Sequence, residues 1–168
     1  MPPLSRNLLN ALLFIAGWLA CLLGGGLWLW GVAAALLVHL IWIGNWQREG
    51  KLLMSALLFG SAVESFLLQL GVFDLGETRQ LIPLRQALIW LLIGTTLCHC
   101  LAWTARPWWR ASLLGAALAL LTYGASLWLG LVRLPYGNAA TLALLAATWA
   151  AMLPLLHGFA RLYTARPA

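Results

Sequence analysis

The chain has 168 residues, of which 63% are hydrophobic and only 8% charged, and its mean hydropathy is +0.90. Soluble domains carry about 25% charged residues because a water-facing surface needs them, so most of this surface is expected to face lipid. The formal net charge is +6, but the basic residues are scattered singly or in pairs between apolar runs. No basic stripe suited to a nucleic acid forms, and the charges read as topology-setting loop residues.

A spanning helix needs about 20 mostly apolar residues. Six such runs are predicted within one transmembrane helical domain covering residues 1–168, at 7–23, 27–46, 52–73, 83–104, 108–130 and 138–163. Arg6 ahead of the first run has the look of a signal-peptide n-region. That run, however, ends at Cys21 and Gly24, Gly25 and Gly26 and leads straight into a second apolar stretch. A first transmembrane helix followed by a tight turn is therefore expected. The second run stops at the polar stretch 47–51, and the third at Asp74, Gly76 and Glu77. Pro83 suits the first turn of the fourth helix, where its missing N–H has no partner to lose. Arg106 and Pro107 separate the fourth run from the fifth, and Arg133, Pro135 and Gly137 separate the fifth from the sixth. Pro154 should free the carbonyl of Ala150 and kink the sixth.

With a cytoplasmic N-terminus, Arg6, Arg48, Lys51, Arg106, Arg110, Arg161 and Arg166 share the cytoplasmic side, against Arg79, Arg85 and Arg133 opposite. That asymmetry in short loops places both termini in the cytoplasm. Tryptophan collects at the two interfaces of a bilayer. Trp42, Trp46, Trp103, Trp108 and Trp109 fall at one predicted interface and Trp28, Trp30 and Trp128 at the other. Trp18, Trp90 and Trp149 lie deeper and read as packing residues.

In lipid, small residues and occasional polar contacts join helices. Spacings of three and four align Asn7, Asn10, Phe14, Gly17, Cys21 and Gly24 on the first helix, and Gly31, Ala35, His39, Trp42 and Trp46 on the second. Ala56, Gly60 and Glu64 align on the third, and Ser112, Ala116, Ala119, Tyr123, Ser126 and Gly130 on the fifth. Ala143, Ala147, Ala150, Pro154 and His157 align on the sixth. These stripes are expected to face the interior, and helix packing alone would explain them. Cys21, Cys98 and Cys100 lack a repeated CxxC spacing, which argues against a disulfide framework and for small buried hydrophobes.

Glu64 is the only acidic residue within a predicted span. It lies about 12 residues in, or about 18 Å at 1.5 Å per residue, where a charged group is costly and faces a bundle interior or water. Two readings stand: a proton carrier, general acid or ligand-binding group, or a carboxylic acid hydrogen-bonded to a neighbouring helix. Tyr123, about 15 residues or about 22 Å into the fifth helix, is at a depth to partner it. His39, His99 and His157 share a shallower level, about 6–8 Å below the cytoplasmic interface. Histidines bind zinc readily, but no HExxH is present and no two of the three share a helix. They are weak metal candidates, and independent structural roles are the expectation. No GxSxG, P-loop or GxGxxG is present, and the sequence leaves any cofactor open.

Asn7 with Gly17 and Trp18, Glu64 with Ser65, Thr96 with His99, Thr122 and Tyr123 with Gly130, and Pro154 carry a family resemblance. The chain resembles a family of small bacterial inner-membrane proteins catalogued as having unknown function, over nearly its whole length. An aspartate is common in that family at the position of Glu64, which keeps the carboxyl and changes its reach. The resemblance implies a multi-pass inner-membrane protein and brings no known activity.

The leading expectation is binding or processing of a lipid-like molecule within the bilayer, with Glu64, Tyr123 and His99 as the site and His39 secondary. Alternatives are a metal-free or metal-dependent enzyme, an assembly or scaffold protein, or a transport subunit. The last is similar, in size and six helices only, to the substrate-capture subunits of energy-coupling-factor vitamin transporters. Small-residue faces suit both a homo-oligomer and a membrane-protein partner.

Overall fold

The computed structural model describes residues 3–24, 28–76 and 80–164, and among them the chain is an all-α bundle of six helices without a β-strand. The helices are α1 (Pro3–Leu23), α2 (Trp28–Val38), α3 (Trp46–Gln69), α4 (Leu84–Thr96), α5 (Trp109–Trp128) and α6 (Asn138–Thr164). Four segments, Pro3–Leu23, Trp46–Gln69, Trp109–Trp128 and Asn138–Tyr163, are long and apolar enough to cross a membrane, and Leu29–Ile43 is a shorter apolar helix. Gly25, Gly26, Glu77, Arg79 and Arg166 lie outside the described residues, as does the Trp28 side chain.

Helix ends differ from the hydropathy reading for local reasons. α3 begins at Trp46 rather than 52, because the Asn45 side chain caps it by accepting from Gln47 N at 2.8 Å. Gln47, Arg48, Glu49 and Lys51 are all adequate helix formers. The polar stretch 47–51 is thus the opening of a helix and not a loop. α3 stops at Gln69 on Gly71, whose φ of +69° a side chain would oppose. Val72 N donates to Leu67 O and Gly71 N to Leu68 O, both at 3.0 Å, the bond pair of a Schellman motif. α5 ends in the same way on Gly130.

α4 stops at Thr96, well short of the expected 104. The hydroxyls of Thr95 and Thr96 donate back to the carbonyls of Leu92 and Ile93, each at 2.6 Å, which loosens a helix. The chain then turns through His99 into a short 3₁₀ turn at Ala102–Ala105. α2 instead passes into a π-helical turn, His39–Ile43, closed by Gly44 N on His39 O at 2.8 Å.

α1 packs on α2 and α4, α3 on α4 and α6, and α5 most extensively on α6. Gly60 lies flat against the Trp90 indole and Gly115 against the carbonyl of Trp149; a Cβ at either would collide. The expected interior faces hold for α1 at Asn10, Gly17 and Cys21 and for α3 at Ala56, Gly60 and Glu64. Of the stripe expected on the second run, Ala35 and His39 are buried, but Gly31 is exposed, as are Trp42 at 63% and Trp46 at 56%, and Val32 and Ile43 are buried instead. On α5 the buried face is Ala111, Gly115, Ala119, Thr122 and Tyr123, one position off the expected Ser112 and Ala116. On α6 the large residues Leu145, Trp149, Met152, Leu153 and Leu156 fill the core, while Ala143 and Ala147 are exposed. Gly115 accounts for this: α5 supplies the small surface and α6 the bulk.

Contacts define two ends of the bundle. At one, Asn10 meets His39 and Thr95, and Thr104 meets His157. At the other, the α3–α4 and α5–α6 connections pair through the backbones of Asp74 and Arg133, at 2.9 and 2.8 Å.

Candidate functional site

The expected site residues separate into two buried clusters, both anchored on α3. The first surrounds Glu64, which has no exposed surface. Tyr123 on α5 donates its hydroxyl to Glu64 Oε1 at 2.9 Å, and Trp149 on α6 donates Nε1 to the same oxygen at 3.0 Å. Gln86 on α4 donates Nε2 to the Tyr123 oxygen at 2.8 Å. The proposed pairing of Glu64 with Tyr123 is therefore a direct hydrogen bond, extended outward to Gln86. Glu64 Oε2 and Trp90 Nε1 are buried with no hydrogen-bond partner, and the Trp90 and Trp149 rings lie 4.5 Å apart beside them. Trp149, expected to be a packing residue, is also a donor to the acid. Trp18, in the same class, donates to Thr122 Oγ1 at 3.0 Å.

A small cleft of about 40 Å³ opens beside this cluster, where Cys21, Arg85, Gln86, Thr122, Tyr123 and Ser126 line it together with aliphatic side chains. Separately, Leu29, Trp30, Ala33, Leu36, Leu84 and Leu88 form an apolar groove of about 460 Å³ between α2 and α4.

The second cluster holds His39 and His99, and its centre is a residue the sequence did not single out. Glu49, in the first turn of α3, is buried. His39 Nε2 lies 3.1 Å from its Oε2, and His99 Nε2 lies 2.9 Å from its Oε1. Asn10 fixes the tautomer of His39. Its Oδ1 accepts from Cys100 N at 3.4 Å, and its Nδ2 donates to Thr95 O and to His39 Nδ1, both at 3.1 Å. With an amide N–H aimed at Nδ1, His39 carries its own proton on Nε2 and gives it to Glu49. The two imidazole rings meet edge to face at 5.3 Å, and His99 Nδ1 is buried without a partner. Nitrogens of both rings and a carboxylate oxygen lie within 4.8 Å of one another, a set of atoms able to share a metal ion.

His157 is not part of this group. Its Nε2 lies 2.8 Å from Thr104 Oγ1, whose own proton goes to Leu101 O at 2.8 Å. The shared depth of the three histidines brings two of them together and leaves the third in a separate helix contact. His99 and His39 do not meet Glu64 either. Glu49 and Glu64 are on one helix, separated by about four turns, or about 22 Å. Glu49 was missed because it stands among polar residues. The available signal was the Asn45 cap together with the shared spacing of Glu49, Leu52, Leu53 and Ala56 on one helix face.

No curated protein and no solved structure matches the chain significantly. The family model described as "Protein of unknown function (DUF2878)" matches residues 7–155, and the chain belongs to that family.

Proposed function

We propose that the protein is a multi-pass protein of the bacterial inner membrane that binds, and helps process, a lipid-like molecule. Membrane insertion is supported by the four long apolar helices and by large apolar side chains on the outside of every helix, among them Leu4, Trp30, Leu58, Leu84, Leu113 and Leu155. Patches of this extent on a soluble monomer would drive aggregation. The end of the bundle that holds Arg6, Arg48, Lys51, Arg106, Arg110 and Arg161 faces the cytoplasm under the positive-inside rule.

One observation supports the ligand reading: the buried relay of Glu64, Tyr123 and Gln86 opens on a small cleft that also holds Arg85, and a separate apolar groove lies between α2 and α4. Ligand sites are mostly apolar with a few polar groups that fix orientation. The cleft presents Arg85 to a negative charge on a ligand and Gln86 and Tyr123 to its hydrogen-bonding groups. The groove between α2 and α4 suits a hydrocarbon chain. Glu64 holds the phenol of Tyr123 in one orientation, so the hydroxyl oxygen presents a fixed lone pair to Gln86 or to a ligand that displaces it. His39 and His99 lie outside this site.

The test is mass spectrometry, native and after organic extraction, of protein purified in mild detergent. A stoichiometric lipid-like species is expected with the unmodified chain and should be lost from Tyr123→Phe and Arg85→Ala. Retention by both variants, or protein that is empty while Glu64→Gln folds normally, would transfer the reading to an assembly role.

A further inference from the structure

We infer that His39, Glu49 and His99 form a binding site for a divalent transition-metal ion of the zinc type, with two imidazoles and one carboxylate as ligands. The three side chains come from three separate elements: the π-helical turn after α2, the first turn of α3 and the turn after α4. Each element departs from regular helix or begins one at that point, and the departures converge on a single buried spot. Single π turns inside helices concentrate at functional positions, and this one carries His39.

The donor set is that of a zinc-type ion. Two histidines and a glutamate supply three ligands and leave a further position for water or a bound group. Imidazole with carboxylate also suits other first-row divalent ions. The ligand atoms already lie within 4.8 Å of one another, so small closing movements bring them onto one ion. A buried carboxylate is costly unless its charge is compensated. The side chains bonded to Glu49 are two histidines, and a bound dication would compensate its charge.

Two further features point to a ligand. A Cβ at Gly44 would lie 2.7 Å from both His39 Nε2 and Glu49 Oε2. The φ of Gly44, −98°, is one that any residue adopts, so glycine is required there for space and not for backbone freedom. The second feature is His99 Nδ1, buried with no partner. The hydrogen-bonded arrangement of the cluster does not close on itself, and a buried polar atom left over in this way calls for an explanation such as an ion.

Loading requires no net change in the charge of His39. Its ring proton leaves Nε2 and another is taken up at Nδ1, so the imidazole stays neutral while Nε2 becomes a ligand. The Asn10 amide then turns so that Oδ1 instead of Nδ2 faces the Nδ1 proton, giving up its bonds to Thr95 O and Cys100 N. Ligating histidines ordinarily donate their second N–H to such an acceptor. The inference is independent of the lipid reading, because Glu64 lies about 22 Å further along α3.

The experiment uses the tag-free full chain in detergent, stripped with a chelator and titrated with Co²⁺ and then Zn²⁺. One Co²⁺ per chain is expected, with the visible absorption of a four-coordinate or five-coordinate ion, and Zn²⁺ should displace it. His99→Ala and Glu49→Gln should lose this uptake, and His157→Ala should keep it. Gly44→Ala retains all three ligands but fills the space beside two of them, so it should also lose uptake while far-UV circular dichroism is unchanged. That variant keeps the inference testable if removing a buried ligand unfolds the chain. Absence of one-to-one uptake by the unmodified protein would overturn the inference, as would uptake that His99→Ala and Gly44→Ala leave unchanged.

Discussion

Tyr123→Phe isolates what the relay at Glu64 contributes. The change removes one oxygen, leaves the ring in contact with Phe73 at 5.3 Å, and opens no cavity. It deletes the bond to Glu64 Oε1 and the acceptor of Gln86. Oε2 has no partner, so Glu64 is left with Trp149 alone. A neutral hydrogen bond contributes about 1 kcal/mol net and one to a charged group about 1.5–3 kcal/mol. Loss of the two bonds should therefore cost about 2–3 kcal/mol. In a Glu64→Leu background the first bond is already gone, and Tyr123→Phe should cost only about 1 kcal/mol. The coupling expected from the cycle is about 1–2 kcal/mol. Glu64→Gln keeps an acceptor for Tyr123 and Trp149, so in that background Tyr123→Phe should cost nearly as much as in the unmodified protein. Unfolding in detergent, followed by circular dichroism against denaturant, gives the four free energies where the transition is two-state. A coupling below about 0.5 kcal/mol, the ordinary scatter of independent sites, would refute the relay.

Gly115→Ala should lower stability by about 1–3 kcal/mol, because the new methyl meets the backbone carbonyl of Trp149 and no side chain can turn aside. Gly124→Ala on the same helix has open space and should raise stability by about 0.5–1 kcal/mol; equal denaturation midpoints for the two would disprove this account of α5–α6 packing. Asn10→Ala cuts the bonds that tie α1 to His39, Thr95 and Cys100. It should cost about 1–3 kcal/mol, since buried partners are left unsatisfied, and a midpoint like that of the unmodified chain would count against it. Reporter fusions at the two termini should both read as cytoplasmic, and a reporter inserted at Gly76 should read as external. Termini on opposite sides would rule out an even number of spans.

The number of helices was legible because each apolar run is long enough to declare itself. Their ends were less so, since hydropathy does not report hydrogen bonding. The cap by Asn45 converts a polar stretch into helix, and the Thr95 and Thr96 hydroxyls unravel an apolar one. Both effects depend on particular side-chain oxygens close to the backbone. The inward face of α6 was misjudged for a different reason. The small residues that permit close packing are on α5, and in such a pair the partner helix presents bulk.

The two carboxylates of α3 show where reading of a site stops. Glu64 is conspicuous because its neighbours are apolar, so its burial is implied by the run that contains it. Its depth also matched that of Tyr123, and the two are bonded. Glu49 has Arg48, Gly50 and Lys51 beside it, and only the face it shares with Leu52, Leu53 and Ala56 points to its burial. Its burial is created by tertiary structure: the π turn after α2 and the turn after α4 close over the start of α3. The histidines, by contrast, could be grouped by depth but not paired, because depth fixes only one coordinate of three. Residues that depart from helix where they meet, as His39 and His99 do, carry the more specific information. The departures at His39 and His99 meet at a buried carboxylate, and that sets the cluster apart from the plain contact of His157 with Thr104.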